Sequence, residues 1–289
     1  MLYIGNNKII KGYIGNTPIA YAGFGKSELI KIEGGGGGEE VYPENTVAVY
    51  TVSGTSAVAP FSVSGKASDW LETCRDNGDG TSTMIITAST PPSLIKFQNR
   101  IQLLSVEYIN INNIVDISYM FSGCTALTSI NIRNWDTSNI TNMGYIFNGC
   151  TKLTSLDLSS FNTRNVTNMS CMFNGCNSLV ELDLSNFSVE SIEWKQKGAA
   201  NQRYFKVDDM YSNCNSLKEL RLDNCDEDTI KKLSYYSYTN KDTGSNTYYY
   251  WNPGLPTYTD GSVHNVYLKK SNWSSSTFRT GWTINYIEE

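Results

Sequence analysis

Four carboxylates stand out for their spacing: Asp157, Glu181, Asp183 and Glu219 recur at matching places in successive repeats, which sets them on neighbouring strands. Carboxylates held close together are the chemistry of glycoside hydrolysis or of a hard-cation site. A flat repeat face, however, lacks the enclosure that raises an acid's pKa and excludes water, so solvated acidic surface is the expected reading. The single histidine, His264, is expected at an outward position beside the last strand, with no carboxylate or thiol at a triad-like spacing. Seven cysteines (Cys74, Cys124, Cys150, Cys171, Cys176, Cys214 and Cys225) include no Cys-x-x-Cys pair, so zinc is not expected. Asp76-Asn77-Gly78-Asp79-Gly80 offers Asp76, Gly78 and Gly80 where a calcium loop needs three oxygen ligands, and it reads as a hairpin turn.

The elements that would position these residues are written as a repeat. Aligning Phe121, Phe147, Phe173 and Tyr211 gives steps of 26, 26 and 38 residues, the last being one period plus twelve. Apolar residues fall at i, i+3, i+4 and i+7, as in Met143/Ile146/Phe147/Cys150 and Met169/Met172/Phe173/Cys176, the pattern of one face of a short helix. Gly123, Gly149 and Gly175, with Asn213, follow where a helix would stop in a left-handed residue. A strand comes next, read from Leu127-x-x-Ile130-x-Ile132, Leu153-x-x-Leu156-x-Leu158, Leu179-x-x-Leu182-x-Leu184 and Leu217-x-x-Leu220-x-Leu222. Subtracting one period places a first copy at Ile101, Leu104 and Val106, and Val263, Val266 and Leu268 give a last, for six coils.

A strand and a short helix per unit, with a period in the twenties, predict an α/β repeat solenoid of the leucine-rich-repeat kind, in which no unit buries its apolar face alone. Cys124, Cys150, Cys176 and Cys214 then close the helix face as a ladder of buried free thiols, and Cys225 replaces the aromatic of Trp135, Phe161 and Phe187. Asn139-Ile140-Thr141-Asn142-Met143 and Asn165-Val166-Thr167-Asn168-Met169, with the Met/Phe/Gly/Cys and Leu/Asp/Leu segments, resemble the BspA-type leucine-rich repeat of bacterial and protist surface proteins.

The charge balance, 23 basic against 28 acidic residues, is mildly acidic and forms no basic stripe, which argues against nucleic acid as the main partner. Nothing approaches the run of about 18 apolar residues needed to span a membrane. The N-terminus interrupts each apolar stretch with Gly or Asn, so either a secretory signal was removed or the protein is not exported by that route.

Outside the repeats, residues 1–33 carry Tyr3-Ile4-Gly5-Asn6 and Tyr13-Ile14-Gly15-Asn16, read as hairpins too small for a core of their own. Residues 34–40, with five consecutive glycines from Gly34 to Gly38, read as a flexible tether. Residues 41–99 read as a β-rich cap on the open end of the repeats, residues 100–225 as the repeats, and residues 226–289 as a Tyr-rich excursion, a last coil and a C-terminal cap. The hairpin motif followed by a glycine run and a variable domain resembles the N-terminal modules of structural proteins of Bacteroidales tailed phages of the crAss-like kind. That resemblance implies a virion-attachment segment, with Tyr3, Ile4, Tyr13 and Ile14 as its anchors.

The strands expose two columns of polar residues, one pairing Leu103 with Ser129 and the other Ser105 with Asn131. The candidate ligand face is Ser129, Asn131, Ser155, Asp157, Glu181, Asp183, Glu219, Arg221 and Tyr267. Trp194, in the twelve-residue insertion, and Tyr235, Tyr236, Tyr238, Tyr248, Tyr249, Tyr250 and Trp251, in the excursion, form candidate aromatic recognition loops. The expectation is a non-enzymatic virion protein that adheres to a host-surface glycan or protein through its repeats and to other virion proteins through residues 1–33. The alternative is a bacterial cell-surface adhesin. No catalytic residue, metal or cofactor is expected; the tether permits a homo-oligomer.

Overall fold

The computed structural model describes residues 3–288 except 5–6, 15–16, 23–28, 34–38, 44, 55–61, 65–70, 89–91, 193, 198–201, 235–236, 243–244, 252–254, 257–261, 274, 276–277 and 279–280. Of the expected tether, residues 34–38 lie outside the described residues, and Glu39 and Glu40 are on a strand. The strands on either side of the glycines, Leu29–Glu33 and Glu39–Pro43, pair with each other antiparallel. Before them, Tyr3–Ile4, Asn7–Ile14 and Thr17–Ala22 form a three-stranded antiparallel sheet.

Residues 46–53, Thr-Val-Ala-Val-Tyr-Thr-Val-Ser, are rich in β-branched residues and form a central strand. The five-stranded sheet around it runs Ser129–Ile130, Leu103–Ile109, Thr46–Ser53, Thr81–Thr87, Leu71–Asp76 in spatial order. Leu103–Ile109 is the seam: it lies antiparallel to Thr46–Ser53 and parallel to Ser129–Ile130, which belongs to the next repeat. Tyr50, Met84 and Ile86 on this sheet share one continuous core with the repeats that follow.

The expected α/β solenoid with a helix in each coil is not what forms. The chain is mostly strands in mixed sheets, and the one described α-helix, Glu227–Ser234, lies outside the repeats. The segments expected to be helical are runs of tight turns whose amides point alternately inward along the chain and across to the next unit. Met120, Ser122 and Cys124 bond back three residues, to the carbonyls of Ile117, Tyr119 and Phe121. Ile117, Tyr119, Phe121 and Gly123 donate instead to Asn142, Gly144, Ile146 and Asn148 of the next unit, at 2.7–3.0 Å. The pattern repeats from Met143–Gly149 to Asn168–Asn174, and from Met169–Gly175 to Lys206–Ser212. An α-helix would commit each of these amides within the segment.

Two left-handed residues per unit enforce the alternation. The first is Tyr119, Tyr145, Cys171 or Asp209, with φ of 55–61°, and the second is Gly123, Gly149, Gly175 or Asn213, with φ of 63–76°. A non-glycine residue there costs about 1–2 kcal/mol, and the bonds made across to the neighbouring unit offset it. Both a helix and this turn run bring i, i+3, i+4 and i+7 to one side, so apolar spacing does not separate them.

Side chains stack along the same column. Phe97, Phe121, Phe147, Phe173 and Tyr211 lie ring on ring with centroids 5.5–6.4 Å apart, and Trp135, Phe161 and Phe187 form a second row at 6.2 and 6.5 Å. The thiols of Cys124, Cys150, Cys176 and Cys214 donate to the carbonyls of Phe97, Phe121, Phe147 and Phe173 at 3.0–3.2 Å. On the outer wall, Asn168 donates to Asn142 (2.8 Å) and Asn142 to Asp116 (3.0 Å).

The first unit begins earlier than expected. Phe97 and Asn99 donate to Met120 and Ser122, Phe97 stacks on Phe121, and Ser105 pairs with Ser129, so the first step is 24 residues. Ile101, expected in the core, is 58% exposed, and Leu103 is buried instead. At the far end, Glu181–Asp183, Glu219–Arg221, His264–Lys269 and Trp282–Ile287 form a parallel sheet in that order. Val263 is exposed, and His264 is buried against expectation: its Nδ1 lies 2.9 Å from the Leu217 carbonyl oxygen, and its ring meets that of Trp282.

Two stability measurements check this arrangement. Tyr211 stands in a phenylalanine row with its hydroxyl buried and without a hydrogen-bond partner. Tyr211→Phe should therefore stabilise the protein by about 1 kcal/mol, read as a higher urea midpoint. Gly149→Ala meets nothing closer than 3.6 Å but keeps a φ of 73°. It should cost about 1–2 kcal/mol from backbone strain alone.

Candidate functional site: the polar face of the strands

The parallel strands fix the register of the expected face. Glu181, Glu219, Asn265 and Thr283 form one row across the sheet, Asp183, Arg221, Tyr267 and Asn285 another, and Leu182, Leu220, Val266 and Ile284 lie between them. The middle row faces the core because side chains alternate along a strand, which leaves the two polar rows on the other side. Glu181 sits directly opposite Glu219, a like-charge pairing that costs stability. The compensation is Arg221. Its Nε is 3.7 Å from Asp183 Oδ2, its Nη2 is 3.4 Å from Asp223, and its guanidinium lies 5.1 Å from the centroid of the Tyr267 ring. Asp223, absent from the expected set, is 7% exposed and anchors Arg221 from below. It follows Leu222 as Asp183 follows Leu182, but Leu222 stands in the place of Leu184, and this shift of two residues relative to the repeat hides it from a column alignment.

The N-terminal half of the face is built differently. Ser129 is exposed and opposes Ser105, not Leu103 as the expected columns had it, and Asn131 donates its amide N–H to Val106 at 2.8 Å. Ser155 is exposed and lies between the two sheets, in neither. Asp157 is bound to Arg133 at 2.7 Å and accepts from the backbone N–H (3.1 Å) and hydroxyl (2.6 Å) of Ser159. The Ser159 hydrogen bonds, helped by Arg133, hold its carboxyl below the usual range. A carboxyl biased toward its ionised form is poorly placed to be a general acid. The structure thus groups Glu181, Asp183, Glu219, Arg221 and Tyr267, and leaves Ser129, Asn131, Ser155 and Asp157 as separate neighbours.

The aromatic loops come together in a way that their sequence positions do not suggest. The strand Trp194–Lys197 pairs with Gln202–Phe205, and Ser237–Asp242 with Ser245–Trp251, as two antiparallel hairpins. Gln202–Phe205 then runs parallel to Ser245–Trp251, joining both hairpins in one four-stranded sheet. Trp194, Tyr238, Tyr248, Tyr249, Tyr250 and Trp251 are on its strands. Tyr235 and Tyr236 lie outside the described residues. Tyr3, Ile4, Tyr13 and Ile14 lie on N-terminal strands.

A family model described as a Mycoplasma protein of unknown function, DUF285, matches residues 93–213. The match starts just before the first rung at Phe97 and stops at Asn213, the last left-handed position of the turn column, covering less than half of the chain. Neither the curated proteins nor the solved structures contain a match.

Among the described residues, no three histidine, cysteine or acidic side chains are grouped to hold a metal ion, and no helix is long and apolar enough to cross a membrane. All seven cysteines are free. Burial pushes the thiols of Cys124, Cys214 and Cys225 up to about 12 and those of Cys150 and Cys176 well above their usual value. Cys171, half buried, shares a hydrogen bond with Tyr145 that raises the tyrosine's pKa.

Two measurements follow. Because the thiolate is the reactive form, iodoacetamide should label exposed Cys74 first and Cys171 slowly. The five buried thiols should label only in denaturant, read by peptide mass spectrometry. Asp157, whose folded pKa is depressed, adds stability above its unfolded pKa near 3.9, and this is lost as pH falls through the folded value. Asp157→Asn should therefore lower the urea midpoint at neutral pH and match the parent protein at about pH 2.

Proposed function

We propose that this is a non-enzymatic binding protein, displaying the polar face of its stacked repeats toward a glycan or protein on a host-cell surface. Residues 1–33 would attach it to a phage particle. The observation that carries the binding reading is the Asp183–Arg221–Tyr267 row with its Asp223 anchor. It is an ordered set of charged and aromatic groups contributed by three successive strands and held on a hydrogen-bonded scaffold. Groups fixed in this way bind without the entropy cost of ordering long side chains on contact. The lowered pKa of Asp157, which keeps it ionised, and the buried, unreactive thiols favour binding over acid–base or nucleophilic chemistry. The virion assignment rests on the Tyr-Ile-Gly-Asn hairpins and the glycine run.

A bacterial cell-surface protein is the second reading. It is favoured by the match over residues 93–213, whose family is described from Mycoplasma, a cellular organism.

Labelled full-length protein tested against intact Bacteroidales cells and purified phage particles checks both. Asp183→Lys combined with Glu219→Lys should reduce cell binding at least tenfold while leaving particle binding and the thermal midpoint within error. Unchanged cell binding in that variant would sink the face assignment. Absence of particle binding by the unaltered protein would leave the cellular reading in place.

A further inference from the structure

His264 opens the strand His264–Lys269 and begins its core-facing line, followed by Val266 and Leu268. It is buried, and both of its ring nitrogens are engaged. Nδ1 lies 2.9 Å from the Leu217 carbonyl oxygen, and Nε2 lies 2.6 Å from the hydroxyl oxygen of Ser262. A carbonyl oxygen can only accept, so the single ring proton of a neutral imidazole belongs on Nδ1. Nε2 is then the basic nitrogen, and the Ser262 hydroxyl donates to it. The ring of Trp282 lies against the imidazole with centroids 5.6 Å apart, and its indole N–H is itself held by the Pro256 carbonyl at 2.9 Å. Ser262, in contrast, is exposed. A hydroxyl at the surface thus sits on a base sheltered from water, and a third group fixes the tautomer and direction of that base. This is the arrangement that activates a nucleophile. The Leu217 carbonyl takes the orienting place that a carboxylate takes in a hydrolytic triad. It comes from 47 residues away in the chain, so no spacing rule finds it.

We propose that Ser262 is an acyl-acceptor site, with His264 as its general base and a small activated carboxylic ester as the co-reactant. The Ser262 hydroxyl oxygen attacks the ester carbonyl while its proton passes to Nε2 of His264. A bond forms between the serine oxygen and the carbonyl carbon. The bond from that carbon to the leaving alcohol's oxygen breaks, and the imidazolium returns the proton to the departing oxygen. Nothing is oxidised or reduced, and the products are an acyl-serine and a free alcohol. The step is stoichiometric, one acyl group on each chain, and so stands beside a non-enzymatic binding role. It also lies on the core side of the sheet, away from the Asp183–Arg221–Tyr267 row, and does not depend on what that row binds.

The probe is p-nitrophenyl acetate with the full-length protein, nitrophenolate release being followed by absorbance and the acetylated position by peptide mass spectrometry. The parent protein should release about one equivalent in a fast phase and carry acetyl on Ser262. Ser262→Ala should lower the fast phase at least about tenfold, with an unchanged circular dichroism spectrum. A second variant keeps the buried histidine in place. In Ser262→Cys the introduced thiol should react with iodoacetamide at least about tenfold faster than exposed Cys74 of the same molecule, because only the former has a base beside it. His264→Gln in that background should remove the advantage. Acetyl absent from Ser262, an undiminished fast phase in Ser262→Ala, or alkylation at position 262 no faster than at Cys74 would each overturn the proposal and leave Ser262 as a hydrogen-bond partner of a buried imidazole. Release continuing through Ser262 well past one equivalent would overturn the stoichiometric step.

Discussion

The division of labour among backbone amides in the turn runs is the constraint on which everything else rests. Because Ile117, Tyr119, Phe121 and Gly123 give their N–H groups to the next unit, that unit must be present, in register and at a fixed distance. Every other periodic feature follows from this. The phenylalanine row can stack only because the carbonyl of Ile146 lies against the amide of Phe121, and the thiol of Cys150 finds the Phe121 carbonyl for the same reason. A single unit has half of its turn amides unsatisfied, so no unit is stable alone.

The same geometry places the charged rows in the C-terminal half. Ser129–Ile130 closes the sheet that includes the N-terminal strands, and a second sheet starts at Glu181–Asp183. In that second sheet the chain places an opposed glutamate pair and an arginine that holds Asp183, Asp223 and Tyr267 together. Spending stability on Glu181 opposite Glu219 is the pattern expected where surface chemistry outweighs packing. The excursions are attached to this half as well.

Much of this was legible in the sequence, and the failures have physical causes. The unit length, the ring and thiol rows and the rows through Glu181, Asp183 and Glu219 follow from spacing, since a stacked structure must repeat what it buries. The helix in each unit was misread because apolar periodicity reports which residues face inward and not where amides donate. Tyr119 and Cys171 at positive φ carry no sequence signal, as neither residue type favours that region. Phe97 was missed because the first step is 24 residues, and a fixed period of 26 led to exposed Ile101. His264 was placed outward although it fills a buried position beside the Leu217 carbonyl, a polar residue doing an apolar residue's packing. The pairing of Gln202–Phe205 with Ser245–Trp251 joins segments some forty residues apart, and no local pattern encodes it.

The rung from Met169 to Lys206 has the same form as that from Met143 to Asn168, although the chain between its ends is twelve residues longer. The column registers where a unit returns and is indifferent to the path taken in between. Natural variation can therefore splice whole hairpins into the gap between two rungs and leave the backbone ladder unaltered. The architecture behaves as a rack with interchangeable slots, and a descendant chain could acquire a new surface by a single insertion, without first rebuilding a core.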